Sequence, residues 1–108
     1  MGVGPAYAIP LALQRAGLTL KDMDIIEINE AFATQMLGCL AIMKVDFKDP
    51  RVNPNGGAIA IGHPLGCSGA RLAITVARQL ERMNGRYAAI SLCIGVGQGL
   101  AMIVEREK

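Results

Sequence analysis

His63 is the only histidine in the 108-residue chain. It stands between Gly62 and Pro64, after a glycine pair and a short apolar run, and before a glycine-rich turn. Histidine has the unperturbed pKa nearest neutrality, so it suits proton transfer. Pro64 biases His63 away from helical angles, which places it at a corner between elements. A lone histidine is also commonly a satisfied structural side chain, and one residue makes no site. Cys93 is the second candidate. It closes an apolar run and precedes Gly95, Gly97 and Gly99, where backbone and side chains approach a ligand closely. A thiol's reference pKa lies near 8.5, within reach of proton exchange, although free cysteines are often buried and inert. Asn29 is the third, at a strand-to-helix junction. It fits an N-cap or a polar contact to a ligand.

The elements that position these residues follow from punctuation and period. A helix is expected from Pro5 to about Ala16, capped by Gly17. Pro10 is awkward in its interior, which favours a start near Tyr7. Asp24 to Ile28 reads as a strand. Glu30 to about Met43 reads as a helix with Phe32, Met36, Leu40 and Met43 along one face. Lys44 to Val52 is a polar connection. Ala58 to Ile61 reads as a short buried strand. Ser68 to about Met83 reads as an amphipathic helix with Arg71, Thr75, Arg78, Gln79 and Arg82 on its wet face, ended by Asn84-Gly85. Tyr87 to Cys93 and Gly99 to Val104 read as an antiparallel pair joined by the glycines. The order implies an α/β layer with a mixed sheet, mainly parallel, with one antiparallel edge pair and helices packed on it.

Composition narrows the function. The net charge of +2 leaves no nucleic-acid footprint, and no apolar stretch reaches the ~18 residues of a membrane span. The chain lacks a signal peptide's basic start and apolar core. Three cysteines without a secretory signal point to a reducing compartment, the cytoplasm or an organelle matrix, and to no disulfide framework. His63 and Cys67 lack the further ligands of a zinc site, so no metal is expected. Apolar residues make up 52% before 13 glycines are counted, above the roughly 45–50% usual with glycine included. Part of that surface is expected to meet something outside the chain.

Three motifs, in order, carry a family resemblance. The segment Asn53-Pro54-Asn55-Gly56-Gly57-Ala58-Ile59-Ala60-Ile61-Gly62-His63-Pro64-Leu65-Gly66-Cys67-Ser68-Gly69-Ala70-Arg71 resembles a signature of the thiolases. Asn29-Glu30-Ala31-Phe32-Ala33 is similar to their N-E-A-F-A motif. Cys93-Ile94-Gly95-Val96-Gly97-Gln98-Gly99 is similar to their C-x-G-x-G-x-G motif. Met1-Gly2-Val3-Gly4-Pro5 fits a fourth stretch, and the resemblance covers essentially all of residues 1–108.

The resemblance implies the C-terminal domain of an acyltransferase that cleaves 3-ketoacyl-CoA with coenzyme A, or runs the reverse Claisen condensation. It implies His63 as the base for a nucleophilic cysteine and Cys93 as the second catalytic cysteine, exchanging the α-carbon proton. Asn29 would hold a water that completes an oxyanion hole with His63. The N–H of Gly95 would serve a second oxyanion hole. Ala31 and Phe32 would line the pantetheine channel, although Phe32 equally fits a core anchor. Glu30 is assigned no more than orientation of the site. Cys39 and Cys67 read as packing residues, and Arg71 as solvent-facing or inter-domain. Acyl-CoA and coenzyme A enter as substrates, and no cofactor is implied.

The nucleophilic cysteine belongs to the family's other half, as do most coenzyme A contacts. One more strand and a helical connection are expected before Met1, so the chain reads as a fragment, inactive alone and homodimeric or homotetrameric in its full-length form. The motif variants look most like degradative thiolases, including the β-ketoadipyl-CoA type. A β-ketoacyl synthase is disfavoured, since those typically use two histidines. A nucleotide-loop reading of the glycines fails because a β-like run follows them. A thiolase-like binding or assembly domain is the remaining alternative.

Overall fold

A computed structural model describes residues 2–107. Helix α1 spans Gly4–Ala16 and ends on Gly17 in the left-handed conformation (φ 69°). It begins three residues earlier than Tyr7, so Pro10 lies in its interior, on the exposed side. A 3₁₀ turn at Leu20–Asp22 leads into strand β1, Ile25–Ile28, which is buried at every position. Helix α2 follows at Ala33–Met43, a single turn α3 at Ala58–Ile61, and the long helix α4 at Leu65–Met83. Strands β2, Tyr87–Ile94, and β3, Gln98–Glu105, complete the chain.

The sheet is mixed, in the order β1-β2-β3. β1 runs parallel to β2, from Ile25 opposite Ala88 to Ile28 opposite Ser91. β2 and β3 are antiparallel and close on a hairpin whose last pair is Ile94–Gln98. Gly95 and Gly97 both take positive φ in that hairpin, 55° and 73°, angles that side chains rarely tolerate. Val52 adds a parallel bridge to Ile26 on the outer side of β1.

Alternation along β1 sorts the core into two layers. Ile26 and Ile28 pack with Ile9 and Leu13 of α1 and Met36 of α2. Ile25 packs with Leu72, Val76 and Leu80 of α4, spaced four residues apart on one helix face. Those three side chains are fully buried, and each contributes roughly 1.5–3 kcal/mol relative to exposure. Between α1 and β3 the approach is closer still. A Cβ on Gly99 would overlap the backbone of Gly4, and a Cβ on Gly4 would overlap Gln98 and Gly99.

Several expectations are corrected. Ala58–Ile61 is helical, and Ile59 and Ile61 are more than half exposed. Four apolar residues carry too little period to separate strand from helix. Phe32 precedes α2 in extended conformation and is exposed. The side-chain oxygen of Gln35 accepts the N–H groups of Ala31 and Phe32, so the helix starts after Glu30 rather than at it. α4 starts three residues before Ser68, which puts Cys67 in its exposed first turn. Cys67 is therefore not a packing residue. Cys39 is: it is buried, and its Sγ contacts the carbonyl of Gly2. Burial pushes its thiol pKa up. No described helix is long and apolar enough to cross a membrane.

Candidate active site

The connection from α4 to β2 fixes which end of the sheet carries the motif residues. The N–H groups of Arg86 and Tyr87 donate to the carboxylate of Asp24, at 2.7 and 3.1 Å, beside the start of β1. The end of α4 therefore lies at the amino ends of the parallel strands. Its 19 residues rise about 28 Å, close to the length of an eight-residue strand, about 26 Å. The beginning of α4 accordingly reaches the carboxyl ends of β1 and β2. His63 and Pro64 lead into α4 there. Asn29 follows β1, and its N–H donates to the carbonyl of Ser91 at 2.9 Å. Cys93 stands one residue before the end of β2, half-buried, and Gly95 opens the hairpin beyond it. All four residues occupy one edge of the α/β layer. Ala31 and Phe32 follow Asn29 on the same edge, half-buried and exposed respectively.

His63 is held by a residue that the motif alone did not single out. Its Nδ1 lies 2.5 Å from the Oγ of Ser68, one turn into α4. Ser68 is buried and its hydroxyl also reaches the carbonyl of Pro64, at 3.3 Å. A carbonyl can only accept. When the hydroxyl proton points to Pro64, Nδ1–H of His63 donates to Ser68, and Nε2 is left with a lone pair to take a proton. A serine five residues after the histidine, at the buried face of the following helix, was the available signal.

Asn29 is 1% exposed, and neither its amide nitrogen nor its amide oxygen has a hydrogen-bond partner among the described residues. Leaving such a group unpaired costs about 1–3 kcal/mol. It is not the N-cap of α2, which begins four residues later.

Glu27 is a further buried polar group, on the α4 face of β1. It is fully buried, and neither carboxylate oxygen makes a hydrogen bond among the described residues. Arg71 approaches it at 3.9 Å from α4. Arg71 is thus mostly buried against Glu27 rather than solvent-facing. A charge in the middle of a four-residue apolar strand was the signal, since glutamate is almost never fully buried without a partner. Desolvation pushes the Glu27 carboxyl up to about 7; the Arg71 charge offsets part of this and Glu30 adds to it. A carboxyl whose folded pKa exceeds its unfolded value binds a proton on folding between the two. Stability therefore falls as pH rises from about 4.5 to about 7, by on the order of 3 kcal/mol. Urea denaturation of Glu27→Gln at pH 5 and pH 8 is expected to show this decline largely abolished. An equal decline in the variant would place its source elsewhere.

Residues 1–106 match the sequence profile of the family described as thiolase, C-terminal domain. The chain is 60% identical over 106 residues to the 3-oxoadipyl-CoA/3-oxo-5,6-dehydrosuberyl-CoA thiolase of Escherichia coli K12, covering 98% of this chain and 26% of that protein. It is 57% identical to the peroxisomal 3-ketoacyl-CoA thiolase B of Rattus norvegicus, covering 97% of this chain and 24% of that protein. The crystal structure of human mitochondrial 3-ketoacyl-CoA thiolase in complex with CoA superposes with a TM-score of 0.94 at 50% identity, over 99% of this chain and 27% of that one. The chain thus spans about a quarter of the length of the curated relatives that it matches. It belongs to the thiolase family, whose C-terminal domain it represents.

Proposed function

We propose that this chain is the C-terminal part of an acetyl-CoA C-acyltransferase. The enzyme would cleave a 3-ketoacyl-CoA with coenzyme A, or form it by the reverse condensation. The observation that carries this reading is the gathering of three separate motifs on one edge of the sheet, at the carboxyl ends of β1 and β2 and the start of α4.

Each residue has a task in that chemistry. A cysteine of another part of the enzyme attacks the ketone carbon, and His63 takes its proton through Nε2. The carbon–carbon bond breaks, and Cys93 delivers a proton to the departing α-carbon to give acetyl-CoA. Coenzyme A then takes the acyl group from the cysteine, its thiol proton restoring Cys93, and the departing cysteine thiolate recovers the proton held by His63. Asn29, with its unpaired buried amide, holds a water that shares an oxyanion with His63. The N–H of Gly95 serves the second oxyanion, a position where the positive φ of the turn favours glycine. Ala31 and Phe32 line the pantetheine arm. Coenzyme A is a substrate, and no bound cofactor is invoked.

The principal partner is the part of the enzyme that carries the nucleophile. Exposed apolar side chains on the α4 side, among them Ile74, Leu100 and Met102, and an open apolar cleft of about 250 Å³ lined by Ala73, Leu92 and Leu100 support such a contact. The assembled enzyme is a homodimer or homotetramer, in the cytoplasm or an organelle matrix. The test is to supply acetoacetyl-CoA and coenzyme A to the chain alone and to the chain co-expressed with a thiolase N-terminal half. Turnover is expected in the second sample only. Turnover by the chain alone would overturn the division of the site, and none in either would favour a binding module.

A further inference from the structure

Two bonded contacts join the strand end that carries Asn29 to the loop that leads to His63. Both are made by side chains adjacent to the candidate site rather than in it. Asn53 lies beside β1, where its own N–H donates to the carbonyl of Ile26 at 3.0 Å. Its side chain then extends the ladder by one step: Oδ1 accepts the N–H of Ile28 at 2.9 Å, and Nδ2 donates to the carbonyl of Ile28 at 2.9 Å. Ile28 presents one donor and one acceptor, so only a group with one of each satisfies both. Asn53 also holds φ at 43°, a conformation that asparagine tolerates better than most residues.

Glu30 flanks Asn29 on its other side. Its Oε2 receives Nδ2 of Asn53 at 3.4 Å, and its Oε1 receives the N–H of Ile59 at 3.1 Å. Gly57 is pressed against that carboxylate: a Cβ there would overlap Oε1 and Cδ of Glu30. Ile28 and Glu30, the two neighbours of Asn29, are therefore both bonded to the segment 53–59. Only Ala60, Ile61 and Gly62 separate that segment from His63.

We infer that Asn53 and Glu30 are positioning residues that set the separation between Asn29 and His63, with Gly57 required so that the Glu30 carboxylate can sit against the loop. For its chemistry, though not its geometry, this rests on the thiolase reading above. A displacement of about 1 Å at a reacting group can cost about a hundredfold in rate. The clasp acts on kcat through geometry and leaves distant coenzyme A contacts unchanged.

The experiment uses Asn53→Asp, Glu30→Gln and the charge-neutral Gly57→Ala. Aspartate at 53 keeps the shape but turns an acceptor toward the Ile28 carbonyl. Each variant is co-expressed with the N-terminal half, and kcat and KM for acetoacetyl-CoA are measured. In parallel, the imidazole ¹⁵N–¹H spectrum is recorded with only this chain labelled, so that it reports one residue, His63 being the chain's only histidine. The expected result is a fall in kcat of tenfold or more with KM within about twofold, together with a shift of the His63 resonances while far-UV circular dichroism is retained. Gly57→Ala decides if the charge-changing variants do not fold, since an added methyl leaves every charge in place. Wild-type kcat and wild-type His63 resonances in folded Gly57→Ala and Glu30→Gln would overturn the proposal. Loss of turnover in the wild type itself would count against the thiolase reading, while the spectra would still report on the clasp.

Discussion

Replacing His63 by alanine is expected to lower kcat for acetoacetyl-CoA thiolysis by about 10²–10⁴-fold in the assembled enzyme, the range that general acid–base catalysis contributes. His63 is exposed in this chain and, among the described residues, its ring bonds only Ser68, so its removal leaves both core layers intact. The thermal midpoint is expected to change by no more than a degree or two, because surface changes away from packing and caps usually fall within about ±0.5 kcal/mol. Ser68→Ala should fall between wild type and His63→Ala. It keeps the imidazole but removes the group that holds Nδ1. Steady-state kinetics on the three proteins, with stopped-flow measurement of thioester formation, separates the steps. If His63 activates the nucleophile, acylation slows in His63→Ala. Full-rate acylation in that variant would remove His63 from the role proposed for it.

The largest effect on stability is expected beside the candidate site, where Gly99 pairs with Cys93 across the hairpin. Gly99→Ala should destabilise the chain by about 3 kcal/mol, at the upper end of overpacking costs, because the added Cβ meets the backbone of Gly4 rather than a movable side chain. Gly4→Ala meets Gln98 and Gly99 in the same way. Together the two should cost less than the sum of the singles, since one methyl already forces α1 away from β3. Gly69→Ala is the control. Gly69 lies within α4, past its first turn, with open space around it, so alanine there should stabilise by roughly 0.5–1 kcal/mol. Chemical denaturation of the four variants and the wild type reads the comparison directly. A Gly99→Ala variant as stable as wild type would mean that α1 does not rest on β3 through bare backbone.

Much of the scaffold was legible from punctuation. Gly17 and Asn84-Gly85 mark helix ends where the chain turns left-handed, and the glycines after Cys93 mark the hairpin. The long period of α4 was clear because four turns of alternating wet and dry positions leave little ambiguity. What stayed hidden depended on contacts between distant residues. Ala58–Ile61 takes a helical turn that begins where the Glu30 carboxylate accepts the Ile59 N–H, a bond invisible in the local sequence. Phe32 lies outside α2 because Gln35 satisfies the N–H groups ahead of the helix. Glu27 and Arg71 became neighbours only when α4 folded back onto β1.

The site shows the same division. His63, Cys93, Asn29 and Gly95 were marked by residue type and by their places next to glycine, proline or a strand end. Ser68 and Asn53 were ordinary letters in the motifs, and Glu30 no more than an orienting residue, until the backbone put an acceptor or a donor opposite each. Side chains that act on other side chains leave little trace in composition or period, because their meaning lies in who stands across from them.

Asn53 also has a chemical lifetime. An asparagine loses its side-chain nitrogen most readily when the backbone N–H of the next residue attacks the amide carbon. The next residue here is Pro54, whose nitrogen carries no hydrogen. The amide that extends the β1 ladder is thus closed to that route of ageing. Asn55 stands two positions on, exposed and followed by Gly56, with no such protection. As the protein ages in solution, the acidic species that accumulate should carry their new charge at Asn55 or at Asn84, which is also exposed and followed by glycine, leaving the strand end beside Asn29 as it was made.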